Sequence, residues 1–339
     1  MKRYKFYFLT LALSAVFNFS FAQKMHTPAE IVKLLADSKV KYQIEPLDTP
    51  VECPNYTLNL LSNNFYRVKD GSQILIHKYE MNDAAKQLFD KAETYLKANN
   101  FDSALSFYQQ ALAADTSCYN IMTDIGQLYL LKRNYDAAIK WCQKAINKNY
   151  IDFMAHWLLA NCYVATNDLK KAVDEITITR ILNRNNLLIK KSMNAIFAKA
   201  KRDTTDWCFN PQMKIKQTAD NKVSIASTAE WLGYAMTKAL WAYEPGYKES
   251  MNAGGNQYSM AEEKESLGVL LLGLINSKKD YQQNPAFRIL HNSVDNNFLD
   301  AYIFYEIVLP QMPVMVYQLP EESIQLIKNY VLTVRNPEN

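Results

Sequence analysis

The sequence predicts an all-α chain built around a helical-hairpin solenoid, and three observations carry that prediction. Tyr95, Tyr129 and Tyr163 stand 34 residues apart, with Ala92, Gly126 and Ala160 three positions before them and Ala104, Ala138 and Ala172 nine after. Apolar residues recur at helical spacing between these columns, broken by the polar pairs Asn99-Asn100, Arg133-Asn134 and Asn167-Asp168. A helix-turn-helix unit this short cannot bury its apolar face alone, so consecutive copies stack and share a core.

Taken in order, the chain opens with Lys2, Arg3 and Lys5, an apolar run from Phe6 to Phe17, and Ser20-Phe21-Ala22. That is the layout of a secretory signal cleaved after Ala22, which places the mature chain in the periplasm or cell exterior. An uncleaved anchor is the alternative, although the run is shorter than the roughly 20 apolar residues a spanning helix needs. Residues 23–84 then read as a cap on the solenoid. Thr27-Pro28-Ala29-Glu30 is a capping box that starts a helix. Tyr66 and Val68 alternate with polar residues up to Asp70-Gly71, and Ile74 and Ile76 alternate after it, which predicts a short β-hairpin.

The repeats fall at 85–118, 119–152 and 153–186. Each first helix presents Leu88, Met122 or His156 near its start, and each second helix opens with Phe101, Tyr135 or Leu169. The small column at Ala92, Gly126 and Ala160 lets the paired helices approach closely. A later Ala column reads Ala111, Ala145 and then Thr179, so the array ends near the third unit. Leu187 to Ala200 follows as a lone capping helix, which extends the solenoid to residue 200. Residues 201–339 are expected to form a second helical domain. Its helices start from capping boxes at Ser227-Thr228-Ala229-Glu230 and Ser259-Met260-Ala261-Glu262, flank a Gly254-Gly255 loop, and continue over 285–292, 298–308 and 321–334.

Charge and cysteines narrow the function classes. Removing Lys2, Arg3 and Lys5 takes the basic count from 38 to 35, against 34 acidic residues. Such a balance, without basic runs, argues against nucleic acid or an anionic membrane as partner. The five cysteines lack metal-type spacing. Cys142 sits in a core column, whereas Cys53 and Cys208 lie in irregular stretches and are the better disulfide candidates. Gly268 to Gly273 spans a phosphate-loop length but lacks the Lys that follows, and reads as packed helix. His156 occupies a core column and reads as a hydrogen-bonded interior imidazole. No catalytic residue, metal or cofactor is predicted, although enzymatic activity stays open because catalytic groups assemble from distant positions.

These columns resemble the tetratricopeptide repeat family over 85–186. The match departs from the family at its usual first-column Trp and at the Pro that normally ends a unit, where Thr116, Tyr150 and Arg184 stand. The resemblance implies that the inner face of the first helices lines a groove for another protein or peptide segment: Phe89, Glu93 and Leu96; Thr123, Gln127 and Leu130; Trp157, Asn161 and Val164. The family's Lys, Asn and Arg clamp for a terminal carboxylate is absent, so Phe89 and Trp157 are the candidate anchors of a mixed apolar and amide-bearing surface. The implied function is a non-catalytic scaffold; alternatively, the groove is filled by this chain's own N-terminal segment or C-terminal domain. A separate possibility makes the C-terminal region an enzyme or a glycan- or peptide-binding module. Its pocket would gather Trp231, Tyr234, Trp241, Glu244, Tyr247 and Glu249, since aromatic faces stack on ligands and carboxylates orient them. The competing reading makes these residues a helix core and its capping turn.

Overall fold

The computed structural model describes residues 26–58, 64–71, 73–251, 259–277 and 280–338. The expected signal segment and the Gly254-Gly255 loop lie outside them. Helix α1 (Pro28–Asp37) starts from the expected capping box, with Thr27 and Glu30 bonded reciprocally. Strand β1 (Lys41–Pro46) follows, then the antiparallel pair β2 (Phe65–Asp70) and β3 (Gln73–Lys78). This pair is the predicted hairpin, and Gly71 supplies the left-handed turn residue at φ 58°.

Three helical hairpins come next: α2 (Asp83–Lys97) with α3 (Phe101–Ala114), α4 (Asn120–Leu131) with α5 (Tyr135–Lys148), and α6 (Phe153–Ala165) with α7 (Leu169–Leu182). The polar pair in each turn divides two tasks. Asn99, Arg133 and Asn167 take φ of 56°, 60° and 62°, which reverses the chain. Asn100, Asn134 and Asp168 then cap the second helices, each side-chain oxygen accepting a backbone N–H at 3.2 Å. The small columns are buried throughout, so each pair of helices meets through alanine and glycine. Helix α8 (Leu187–Lys199) closes the stack, and Lys201 after it takes φ 55°, one further 34-residue step along the chain. The backbone thus begins a fourth unit whose second helix is missing.

Beyond residue 200 the all-α expectation is corrected. Strands β4 (Met213–Ala219) and β5 (Lys222–Ser227) form an antiparallel pair, and β1 adds to β5 in parallel to give the order β1-β5-β4. Ser227 ends a strand rather than capping a helix. Val223, Ile225 and Ser227 alternate into the interior, and burial along that strand outweighs the local capping motif. Helix α9 (Leu232–Tyr243) therefore starts at Trp231 without a side-chain cap. It is followed by α10 (Tyr247–Ser250), α11 (Met260–Asn276), capped by Ser259 as expected, and α12 (Pro285–Asp295). Helix α13 (Leu299–Tyr302) widens into a π-helical stretch over Ile303–Val308 before α14 (Leu309–Gln311), and α15 (Glu321–Tyr330) widens likewise over Val331–Arg335.

The segment expected to cap the solenoid divides in two. Hairpin β2–β3 rests on the loops between repeats: Asn149 donates to the Phe65 carbonyl at 2.9 Å, and the rings of Tyr66 and Tyr79 pack edge-on against Tyr119. Helix α1 and β1 join the C-terminal elements instead, α1 packing on α9 and α11. Past β1, Val51 exchanges hydrogen bonds with Asn210 and Gln212, and Cys53 is disulfide-bonded to Cys208. The helical stack is therefore an insertion between β1 and β4. One hydrophobic cluster runs continuously from the second and third hairpins through α8 into α11–α15, so the stack and the C-terminal region share a core.

Candidate functional site

The nine predicted groove residues lie on α2, α4 and α6, three to a helix. Eight are half-buried; Thr123 is buried and donates its hydroxyl to Asp152 at 2.6 Å, tying the floor of α4 to the N-cap of α6. Phe89 packs edge-on against Tyr108 with ring centroids 5.4 Å apart. Leu96 joins it on the cluster of the first hairpin, whereas Leu130, Trp157 and Val164 pack on the larger shared core. The indole N–H of Trp157 is buried and has no hydrogen-bond partner among the described residues. Outside the stack, no described element packs extensively on α2, α4 or α6. The described N- and C-terminal elements instead engage α7 and the inter-repeat loops.

The floor is acidic, a property the sequence reading missed. The Tyr108 hydroxyl donates to Glu93, and the half-buried Asp124 lies close to both Glu93 and Asp152. Burial, reinforced by those two carboxylates, pushes the Asp124 carboxyl up to about 8. The signal was available: Asp90 and Asp124 are one 34-residue step apart, beside the column of Phe89, Thr123 and Trp157.

The six candidate C-terminal residues are not brought together. Trp231 and Tyr234 pack with Phe209, and the Tyr234 hydroxyl donates to Glu263 at 2.8 Å. Trp241 and Tyr247 belong to the separate cluster around α1, where both donate to the buried Glu265, at 2.7 and 3.0 Å. Glu244 accepts from Ser38 at 2.5 Å and from Tyr42 at 3.0 Å, which anchors the chain between α1 and β1. Glu249 is exposed. Local sequence proximity did not become a shared cavity because α9 points its aromatic residues into two different cores.

His156 is buried with both ring nitrogens engaged, Nδ1 with Glu175 at 2.6 Å and Nε2 with the Tyr150 carbonyl at 3.1 Å. Cys118, Cys142 and Cys162 are buried and unpaired, and burial pushes their thiols up. Gly268 and Gly273 lie within α11, as read.

A tetratricopeptide repeat model matches residues 89–152, the first two hairpins less the first six residues of α2. This chain carries a tetratricopeptide repeat segment. Repeats of this kind stack into curved surfaces that bind other proteins. Among solved structures, the stack is similar to the first tetratricopeptide domain of human RPAP3 at 20% identity, covering 34% of this chain and 92% of that one, with a TM-score of 0.33. It is also similar to the Yersinia enterocolitica type III secretion chaperone SycD in complex with a peptide of the translocator YopD, at 17% identity, 35% and 96% coverage and a TM-score of 0.33. The Arabidopsis OM64 tetratricopeptide domain matches at 16% identity, 34% and 94% coverage and a TM-score of 0.32. No curated protein matches the chain.

Proposed function

We infer that this protein is an exported, non-catalytic scaffold whose three tetratricopeptide units, 85–118, 119–152 and 153–186, hold a segment of another protein on the inner face of α2, α4 and α6. The observation that carries the reading is the tetratricopeptide match at 89–152 together with a row of half-buried side chains on which no described element of the chain packs extensively. Phe89 and Trp157 are the anchors, half-buried aromatic rings on the first and third hairpins. The raised Asp124 carboxyl holds its proton at neutral pH and brings no charge to the floor, which leaves Glu93 to disfavour the acidic peptide tails that a carboxylate clamp takes. The signal-like residues 1–22 and the Cys53–Cys208 disulfide both fit an oxidising compartment outside the cytoplasm.

The test is crosslinking in the native envelope followed by capture with the purified chain. Replacing both anchors, Phe89→Ala with Trp157→Ala, is expected to weaken capture of the crosslinked partner by about 30-fold or more, the loss typical of a two-residue hot spot. The helical circular-dichroism signal should stay intact. Unchanged capture by the folded double variant would reject the groove.

A further inference from the structure

Away from the groove, where α7 and α8 meet the π-helical stretches at 303–308 and 331–335, four cations converge on a small cavity of about 30 Å³. Arg184 donates to the Tyr305 carbonyl at 3.0 Å and to Glu306 at 3.2 Å. Arg335 donates to the other oxygen of Glu306 at 3.1 Å and to the Thr205 carbonyl at 3.0 Å. Lys190 reaches Asp206 at 2.6 Å. Glu306 thus serves two of the cations and Asp206 a third. Arg180 is left over: it is only 6% exposed, its Nη1 donates to the Asn186 carbonyl at 3.0 Å, and it forms no ion pair with a described carboxylate. Burial first and the neighbouring Arg184 charge second push its guanidinium down to about 9, outweighing the attraction of Asp206 and the Tyr305 side chain, so its charge is only partly compensated.

A buried charge without a counter-ion is costly, and a buried polar group left short of partners calls for an unseen ligand or ion. The cavity lies where that partner would sit. Arg180, Arg184, Lys190 and Arg335 line it together with the exposed Thr204, Thr205 and Asp206, so it meets solvent on the threonine side, and the cations outnumber the one lining carboxylate four to one. Its volume holds about two waters and is far below the several hundred Å³ of an organic ligand site. Planar guanidinium donors and hydroxyls around so small a space suit the oxygens of a single oxyanion.

We propose that this cavity binds one small oxyanion, inorganic phosphate or a carboxylate group, on Arg180 with Lys190 and Thr205 at its mouth. The site joins the last helices of the stack to the C-terminal helices, so the bound anion also fastens the insertion to its base. The inference is independent of the groove and survives its failure.

The experiment is calorimetric titration of the full mature chain, desalted into chloride buffer, with sodium phosphate, sodium sulfate and sodium acetate in turn. Saturable binding of phosphate or sulfate identifies a free inorganic ion as the source, and saturable binding of acetate alone identifies a carboxylate head; both support the proposal. Arg180→Gln is expected to weaken that binding about tenfold or more, the worth of one charge-assisted contact. In chloride it should unfold no earlier than the native chain, because it removes a buried charge that burial and Arg184 disfavour. If Arg180→Gln does not fold, Lys190→Gln at the half-buried mouth decides, with a loss of several-fold expected. No saturable binding of any of the three anions, or unaltered affinity in a folded variant at the deciding position, would overturn the proposal.

Discussion

Asp124 shows how one side chain can carry a pH dependence for the whole stack. Its ordinary carboxyl value of 3.8 rises to about 8 in the fold, so the native protein keeps a proton that the unfolded chain releases once pH passes about 4. The unfolded state then binds fewer protons than the native one, and stability falls as pH rises from about 4 to about 8. Asp124→Asn removes that dependence. It is expected to raise the urea midpoint at pH 8 and leave it nearly unchanged at pH 4; an equal shift at both values would show that Asp124 does not titrate in this window. His156 belongs to the same scale. Its place in a core column identified it as an interior imidazole, but its partners Glu175 and the Tyr150 carbonyl come from another helix and a loop, which spacing alone does not reveal.

At the scale of the helical hairpin, close approach depends on residues too small to be prominent in the sequence. A methyl group added at Gly126 would stand 2.8 Å from the Cys142 Sγ across the α4–α5 pair. Gly126→Ala should therefore cost about 1–3 kcal/mol in the native background, the usual penalty of overpacking. With Cys142→Ala the obstruction is gone, and the same change should stabilise by up to about 1 kcal/mol through better helix propensity. Urea unfolding of the two single variants and the double variant measures the coupling; additive effects would mean that the helices part freely. Most of this element was legible, because small columns, left-handed turn residues and N-caps all recur in one 34-residue step. The β5 strand was not: Ser227-Thr228-Ala229-Glu230 has the form of a helix start, and only the partners β1 and β4 make it the end of a strand.

Across the whole molecule, the helical stack is a long insertion rooted in a small mixed sheet. Residues 41–53 run alongside 208–227, with β1–β5 pairing at one end and Cys53–Cys208 at the other. The disulfide spans 155 residues, a long loop whose closure restricts the unfolded chain. Replacing both cysteines by serine is expected to lower unfolding free energy by about 2–4 kcal/mol. Without reductant, the denatured native protein should expose three titratable thiols, those of Cys118, Cys142 and Cys162. An undiminished urea midpoint in the double variant, or five reactive thiols without reductant, would remove the clasp from this account.

Periodicity was enough to recover the three hairpins, their polar turns and the closing helix, because each follows from contacts within a few tens of residues. The joining of residues 41–46 to 222–227, the splitting of the aromatic residues of α9 between two cores, and the meeting of Arg184 with Glu306 arise only in three dimensions. They depend on surfaces more than a hundred residues apart along the chain, where no local propensity records which charge or apolar face will come to lie opposite.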